Sequence, residues 1–268
     1  MVENKIKSVV ILGSGNVATN LGVALHRKGI SILQVYSRKQ SNAVVLAERV
    51  NAQAISNLVD LREDAELYIT ALSDSAIPDV LSSLKPLGGM VIHTSGSTSI
   101  DVFNGLGIAN YGVFYPFQTF SRAKQVDFSA VPICIEANSP ENLSCIRSFG
   151  KVLSDNIIEM DSEKRKWLHL TGVFACNFSN HLLALVFKIC EEKGIPFEIV
   201  KPLVLETVNK AFIGNPANFQ TGPAVRNDVV TIQKHVKMLS EFNMDMADIY
   251  KMLSLSIQNL RVNGFHKE

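Results

Sequence analysis

The chain has 268 residues, of which 47% are hydrophobic and 19% are charged, and its 26 basic side chains nearly balance its 25 acidic ones. This composition is typical of a globular protein with one large domain or two smaller ones. The even distribution of charge argues against a basic platform for nucleic acid and against a membrane-surface patch.

The first part of the chain alternates short β-rich runs with helical stretches. The predicted strands are SVVIL, ISILQVY, LYITAL, GMVIHT, YGVFY, PICIEA and NIIEM. The predicted helices include residues 17–28, 42–50, 77–84 and 140–152. Nearly continuous apolar strands that alternate with helices predict a doubly wound, mostly parallel α/β sheet covered on both faces. We expect this domain to cover residues 1–160.

The strand pattern disappears after residue 160. One long helix is predicted from an N-cap at Asp161 or Ser162 to a stop at Gly194. Further helices are predicted for residues 196–212, 228–240 and 246–260, with the loop GNPANFQTGPAVRND before the second of these. The sequence therefore predicts a smaller all-α domain over residues 161–268.

Targeting and metal-binding signals are weak. Glu3, Lys5 and Lys7 precede the first apolar run, unlike a secretory signal peptide. The apolar segment LLALVFKIC is too short to span a bilayer and contains Lys188. The four cysteines form no C-x-x-C pair and lie among apolar neighbours. We therefore expect a reduced, cytoplasmic protein without a metal site.

The segment VVILGSGNVATNLG follows a strand-like run with closely spaced glycines. Gly13, Gly15 and Ala18 give the pattern G-x-G-x-x-A, in which the first glycine permits a tight turn and the second lets a pyrophosphate approach the backbone. Free N–H groups and the dipole at the start of the helix favour phosphate. A purely structural turn is the alternative, but the position between a first strand and a helix favours a dinucleotide.

The end of the second predicted strand indicates which dinucleotide. A site for NAD usually carries an acidic residue there, which binds the ribose hydroxyls. This chain has YSRKQ, with Ser37, Arg38 and Lys39 and no acid. A guanidinium can pair with a 2′-phosphate, so NADP is the predicted cofactor. A solvated basic loop and a methyltransferase that binds S-adenosylmethionine remain as alternatives.

Together, the segments VVILGSGNVATNLG, YSRK, LSDSAIPDVL, VIHTSGSTS, YPFQTF and TGPAVRND resemble the NADP-dependent oxidoreductases with a Rossmann-like first domain. The helical C-terminal domain is similar to those of pyrroline-5-carboxylate reductase and 6-phosphogluconate dehydrogenase. The N-terminal half more distantly resembles the deazaflavin-dependent NADP reductases. The resemblance covers nearly the whole chain, and it implies a fold and a cofactor class rather than a substrate.

The resemblance also implies roles for residues. Around the pyrophosphate it places Gly13, Ser14, Gly15, Asn16 and Val17. At the 2′-phosphate it places Ser37, Arg38 and Lys39. Near the ribose and the bridge toward nicotinamide it places Leu72, Ser73 and Asp74. The segment of His93, Thr94, Ser95 and Gly96 ends a strand at the cleft, and in β-hydroxyacid dehydrogenases a serine at the place of Ser95 contacts the substrate.

The chain departs from related sequences at two positions. Many relatives have His-Pro where this chain has Tyr115-Pro116. The β-hydroxyacid dehydrogenases carry a catalytic lysine four residues before an asparagine, whereas here Val173 precedes Asn177. A mechanism based on that lysine therefore does not transfer to this chain.

The remaining candidates for proton transfer lie on the long helix. His169 is the predicted proton donor, because histidine both donates and accepts near neutral pH, and Tyr115 is the reserve. At 100° per residue His169 and Asn177 lie about 80° apart, and His181 is expected to share a face with Asn177. For each histidine, the alternative is a purely structural role.

Two loops supply further candidates for contact with a substrate. Loop residues that could close over a substrate are Asn218, Gln220, Thr221, Gly222 and Arg226, with Gln118 and Thr119 after Tyr115-Pro116. Arg226 has pairing with Asp228 as its alternative role.

The leading hypothesis is an NADP-dependent reductase or dehydrogenase that acts on a small carbonyl or imine. A non-catalytic NADP-binding regulatory module is the alternative. Apolar residues on several faces of the long helix predict a homodimer formed through the helical domain.

Overall fold

A computed structural model of the chain describes residues 6–263, so Glu3 and Lys5 lie outside the described residues. Eight strands form one sheet in the order β3-β2-β1-β4-β5-β6-β7-β8. The strands are β1 (Ser8–Leu12), β2 (Ser31–Tyr36), β3 (Gln53–Ile55), β4 (Leu67–Thr70), β5 (Met90–His93), β6 (Tyr111–Pro116), β7 (Ile133–Ala137) and β8 (Ile157–Glu159). The doubly wound α/β prediction is confirmed.

Most neighbouring strands run parallel, and the exception is the antiparallel pair β6–β7. The parallel strands β1, β4 and β5 are buried on both sides, as their nearly continuous apolar sequences require. Strand β3 was not predicted, because its three residues QAI are too few to show a period in the sequence.

The sheet has a separate apolar core on each face. The helices of this part of the chain are α1 (Asn16–Arg27), α2 (Gln40–Arg49), α3 (Ile77–Ser82) and α4 (Pro140–Gly150). One core contains residues of α1, α2 and α4, with Leu21, Leu46 and Phe149 fully buried. The other contains residues of α3 and the buried rings of Tyr68 and Phe103. The sheet is therefore a rigid platform for the loops at its edges.

The predicted long helix is interrupted by a π-helical turn. Helix α5 (Ser162–Gly172) has Asp161 as its N-cap, whose carboxylate accepts from the N–H of Lys164 at 2.8 Å. The π turn Val173–Phe178 follows, and α6 (Ser179–Lys193) continues to the left-handed Gly194. The α-helical angle predicted between His169 and Asn177 is therefore wrong, because a π turn has more residues per turn than an α-helix.

The helical stretch Ser162–Lys193 meets the length and composition criteria of a membrane span, with a mean hydropathy of 1.5 over 18 residues. The sequence argument against a span considered only nine residues, so its length argument does not hold. Length and composition alone do not assign a span. The start of this stretch is bonded to the sheet through Arg165 and Glu136.

The described chain divides into two compact units between Phe178 and Ser179. The second unit contains α6, α7 (Lys201–Ala211), α8 (Val229–Phe242) and α9 (Met244–Asn263). Pro196 caps a short 3-10 turn before α7, rather than beginning that helix directly. Asp228 caps α8, as predicted, by accepting from the N–H of Thr231 at 3.0 Å. The domain limits 1–160 and 161–268 stay a prediction.

Candidate active site

A cleft of about 540 Å³ lies at the carboxyl ends of the parallel strands, where ligands of open α/β sheets bind. The predicted site residues that line it are Gly13, Ser14, Gly15, Asn16, Val17, Ser37, Arg38, Leu72, Ser73, Asp74, Thr94, Ser95, Tyr115 and His169. Lys39 is not in the lining; it precedes α2 as its N-cap residue. Segments distant in the sequence thus meet in one cleft because the strands that carry them are adjacent.

The two glycines of the first turn have different tasks. Gly13 has φ of +132°, and a Cβ there would lie 2.1 Å from the carbonyl oxygen of Ala71. This glycine is required for the turn and for close packing against the end of β4. A Cβ on Gly15 would meet no atom within 4 Å. The space beside Gly15 is therefore open, as a site for an approaching diphosphate requires.

The start of α1 has the properties of an anion site. Its N-cap residue is Gly15, which offers no side-chain cap, and its first turn contains no acidic residue. The hydroxyl of Ser14 donates to the hydroxyl of Ser37 at 3.0 Å, which links the glycine turn to the end of β2. Arg38 is exposed beside it. These residues fit a dinucleotide that carries a 2′-phosphate.

The loop after β5 presents the hydroxyl of Ser95 to the cleft. Its oxygen accepts from the N–H groups of Ser97 at 3.1 Å and of Thr98 at 2.9 Å. The hydroxyl of Ser97 in turn donates to Asp74. Because both acceptor positions of the Ser95 oxygen are used, its hydroxyl acts as a donor, either to Ser97 Oγ at 3.5 Å or to an oxygen or nitrogen in the cleft.

Tyr115 and His169 form a hydrogen-bonded pair in the same cleft. The tyrosine oxygen lies 3.1 Å from Nδ1 of His169, although they are 54 residues apart in sequence. Burial raises the pKa of Tyr115 to about 12, so the phenol keeps its proton at neutral pH. A Cβ on Gly96 would lie 2.6 Å from Cζ of Tyr115 and 2.7 Å from Nδ1 of His169. A glycine at position 96 is therefore what allows the pair to pack on the loop of Ser95.

His93, the last residue of β5, supports the loop that carries Ser95. Its ring is fully buried, and Nδ1 accepts from the N–H of Ser95 at 3.2 Å. Burial lowers the pKa of His93 to about 3, and the nearby Arg165 lowers it further in the same direction. The imidazole is therefore neutral at physiological pH, which makes it a structural acceptor.

A second recess of about 420 Å³ shares Tyr115 and His169 with the main cleft. Asn177 lines this recess together with Val173, so the π turn presents both side chains beside the pair. Gln118 lines the cleft and the recess, while Thr119 lines the recess alone.

The other predicted candidates lie in the second unit. They are His181, Asn218, Gln220, Thr221, Gly222 and Arg226. Asn218 is in a 3-10 turn, and Gly222 has φ of +104°. The N–H and hydroxyl of Thr231 lower the pKa of Asp228, and the charge of Arg226 adds a smaller effect in the same direction. Their roles toward a substrate stay predictions.

Family models match the two parts of the chain separately. A Rossmann-like domain matches residues 2–114, and a domain of unknown function, DUF2520, matches residues 131–257. No curated protein sequence matches the chain.

Solved structures match over nearly the full length. The putative NADP oxidoreductase BF3122 from Bacteroides fragilis is 40% identical with a TM-score of 0.90, and the match covers 96% of this chain and 100% of that one. The chain belongs to this oxidoreductase family.

Two more distant members of the same fold have lower identity. A reductive aminase from Aspergillus terreus, solved with NADPH and ethyl-5-oxohexanoate, is 14% identical with a TM-score of 0.70. That match covers 98% of this chain and 97% of the aminase. A pyrroline-5-carboxylate reductase from Coxiella burnetii is 17% identical with a TM-score of 0.55, and the match covers 97% of this chain and 98% of the reductase.

In this family member, sequence reasoning missed a buried anchor of helix α5, which carries His169. Arg165 is fully buried, pairs with Glu136 of β7 and donates to the carbonyl oxygen of Thr98 at 2.7 Å. Ser162 donates to the same carboxylate at 2.7 Å. A signal was present in the spacing, because Arg165 and His169 are four residues apart and therefore share a helix face.

Sequence reasoning also missed Arg122, which lines the cleft from the loop after β6. Nothing in the segment FSRAKQV distinguishes this arginine from a solvated one. Only the antiparallel return of the chain from β6 to β7 places it beside the glycine turn.

Proposed function

We propose that the protein is an NADP-dependent oxidoreductase that transfers a hydride between nicotinamide and a small carbonyl or imine substrate. The observation that carries this proposal is the single cleft that joins an anion-binding end to a proton-donating end. The glycine turn with Ser37 and Arg38 forms the first end, and Tyr115 with His169 and Ser95 forms the second.

The anion-binding end supports NADP over NAD. The two serine hydroxyls of Ser14 and Ser37 and the guanidinium of Arg38 are donors suited to a phosphate, and no carboxylate follows β2 to repel it. Uncapped N–H groups at the start of α1 suit the diphosphate. When bound, the cofactor supplies the hydride, while the protein orients the acceptor and handles the proton.

The proton-donating end supports reduction of a C=O or C=N group. The Ser95 hydroxyl can turn its hydrogen from Ser97 Oγ to the substrate oxygen or nitrogen and hold it from the sheet side. The hydroxyl of Tyr115 keeps its proton at neutral pH and can donate it to the substrate. His169 can then pass its Nδ1 proton to the phenolate oxygen while Nε2 takes up a proton from solvent in the cleft. We thus assign the proton to the pair rather than to His169 alone.

Asn177 lies in the recess beside this pair, where its amide can orient a polar group of the substrate. The solved neighbours make a carbonyl or imine the first class to test. One of them carries NADPH and a keto ester, and another is named for reduction of a cyclic imine.

Nucleotide titration tests the cofactor assignment. We expect NADPH to bind about 10- to 100-fold more tightly than NADH, since a charge-assisted hydrogen bond contributes roughly 1.5–3 kcal/mol. Fluorescence titration with both nucleotides and with S-adenosylmethionine measures this preference. Arg38→Asp should reverse it by placing a carboxylate at the ribose. Equal affinity of the wild type for both nucleotides would contradict the assignment.

A non-catalytic NADP-binding module remains the second candidate, because Val173 occupies the position of the lysine of β-hydroxyacid dehydrogenases. A thermal-shift screen of carbonyl and imine metabolites with NADPH present identifies substrates to assay. Oxidation of NADPH that depends on one of them supports the enzyme, whereas nucleotide binding without turnover of any stabilising compound supports the module.

We further propose that the protein acts as a homodimer in the cytoplasm. The second unit leaves many large apolar side chains exposed, which is typical of a surface that a second subunit covers. The four cysteines are free thiols, as in proteins of a reducing compartment.

A further inference from the structure

The loop between β6 and β7 brings a cation to the glycine turn. A terminal nitrogen of the Arg122 guanidinium donates to the carbonyl oxygen of Ser14 at 2.6 Å, across 108 residues of sequence. Arg122 also lines the main cleft. Its side chain therefore reaches from the outer loop to the backbone on which the phosphates of a dinucleotide are expected.

Asn20 of α1 anchors this loop. Its side-chain nitrogen donates to the carbonyl oxygen of Ser121 at 2.9 Å and to that of Asn16 at 3.0 Å. Its side-chain oxygen accepts from the N–H of Val126 at 3.2 Å. The amide is almost fully buried, so these bonds are shielded from water. The loop is thus held on both sides of Arg122, and these bonds fix the position of the arginine main chain.

The bond to Ser14 uses only part of the guanidinium. Arginine has five N–H donors in a planar fork, and among the residues that the structure describes no carboxylate lies within ion-pair distance of Arg122. The acidic residue of the cleft lining, Asp74, accepts from Ser97 instead. An arginine with unused donors and an unneutralised charge, held at an anion-binding turn, is suited to a phosphate.

We propose that Arg122 binds a phosphate of the cofactor and closes the outer side of its site. The phosphate could be the diphosphate or the 2′-phosphate, because Ser14 lies between the places expected for both. Its main chain belongs to the glycine turn expected at the diphosphate, and its hydroxyl contacts Ser37, which is expected at the 2′-phosphate. This inference rests on the proposed function, since it requires that a dinucleotide occupies the cleft.

The test compares variants that each remove one cation from the same loop. Arg122→Ala removes the guanidinium, and Lys124→Ala is the matched control, because Lys124 is exposed and contacts Ser121 through its main-chain N–H. Arg122→Lys keeps the charge without the fork. Fluorescence titration with NADPH and with NADH gives the dissociation constants, and circular dichroism with thermal melting verifies that each variant is folded.

We expect Arg122→Ala to weaken NADPH binding by about 10- to 100-fold, as loss of a charge-assisted bond predicts, with Arg122→Lys intermediate and Lys124→Ala unchanged. An equal loss for NADH assigns the contact to the diphosphate, and a loss for NADPH alone assigns it to the 2′-phosphate. If folded Arg122→Ala binds both nucleotides as tightly as Lys124→Ala, the inference is overturned while the proposed function stands. A wild-type protein that binds neither nucleotide would overturn both.

Discussion

At the scale of single residues, the hydrogen bond between Tyr115 and His169 carries the proposed proton transfer. Tyr115→Phe removes the hydroxyl and His169→Ala removes the imidazole, and we expect each to lower turnover by about 100-fold or more. The affinity for NADPH should change little, because the cofactor phosphates are expected at the other end of the cleft. Steady-state kinetics with an identified substrate and nucleotide titration measure the two effects.

Because Tyr115 and His169 are hydrogen-bonded to each other, we expect that the losses of turnover in the two single variants do not add. Groups that act as one unit cost about as much singly as together, so Tyr115→Phe/His169→Ala should be no slower than the worse single variant. Lys164→Ala, an exposed position on the same helix, is the control. Full turnover in His169→Ala would show that the histidine is structural and leave Tyr115 as the donor to test.

The two glycines of the first turn allow folding and binding to be separated. Gly13→Ala should lower the melting temperature, because its Cβ would overlap the carbonyl of Ala71 and φ is positive. Gly15→Ala should leave the melting temperature within a few degrees, because its φ of −74° suits alanine and the space is open. We expect the same methyl group to weaken NADPH binding by about 10-fold or more, because it would prevent the diphosphate from approaching the main chain at residue 15.

Thermal melting and NADPH titration of both variants make this comparison. If Gly15→Ala binds NADPH as the wild type does, the diphosphate does not approach the backbone at this turn.

At the scale of elements, helix α5 reaches the sheet through a buried ion pair. Glu136→Ala would leave the charge of Arg165 buried without its partner, which typically costs about 3–5 kcal/mol of unfolding free energy. We expect a shifted urea unfolding midpoint and lower turnover, since His169 follows Arg165 by one helical turn. Glu159→Ala is the control, because its partner Arg147 is partly exposed. Equal stability of both variants would contradict a structural role for the buried pair.

The elements also show what a sequence can and cannot reveal. Most strand segments, the glycine turn and the caps at Asp161 and Asp228 were predictable, because each depends on residues that are close together in the sequence. The π turn after Gly172 was not, since VFACNF has no residue that excludes an α-helix. The Tyr115–His169 bond was also hidden, because it joins β6 to α5 through tertiary packing. Long-range contacts of this kind leave no period in the sequence.

At the scale of the whole molecule, the exposed apolar surface of the second unit predicts self-association. Leu203 is 69% exposed and Phe212 is 88% exposed, and each belongs to or follows α7. Light scattering at micromolar concentration should give about twice the chain mass of 29.4 kDa. Leu203→Asp should shift the mass toward the monomer, whereas Lys201→Asp, which changes charge without removing apolar surface, should not. A monomer mass for the wild type would refute the proposed dimer.

The reversal of direction between β6 and β7 has a consequence for how such an enzyme can change over evolution. A parallel neighbour would require the chain to leave the cleft edge and cross back along the sheet. Because β7 is antiparallel to β6, the chain leaves the sheet at Pro116 and re-enters it at Ile133, at the same edge of the sheet. The intervening residues therefore stay beside the cleft. Insertions and substitutions there can alter the cleft without disturbing any crossover helix. Lineages with different substrates should therefore diverge first in this loop, while the strands that flank it stay alike.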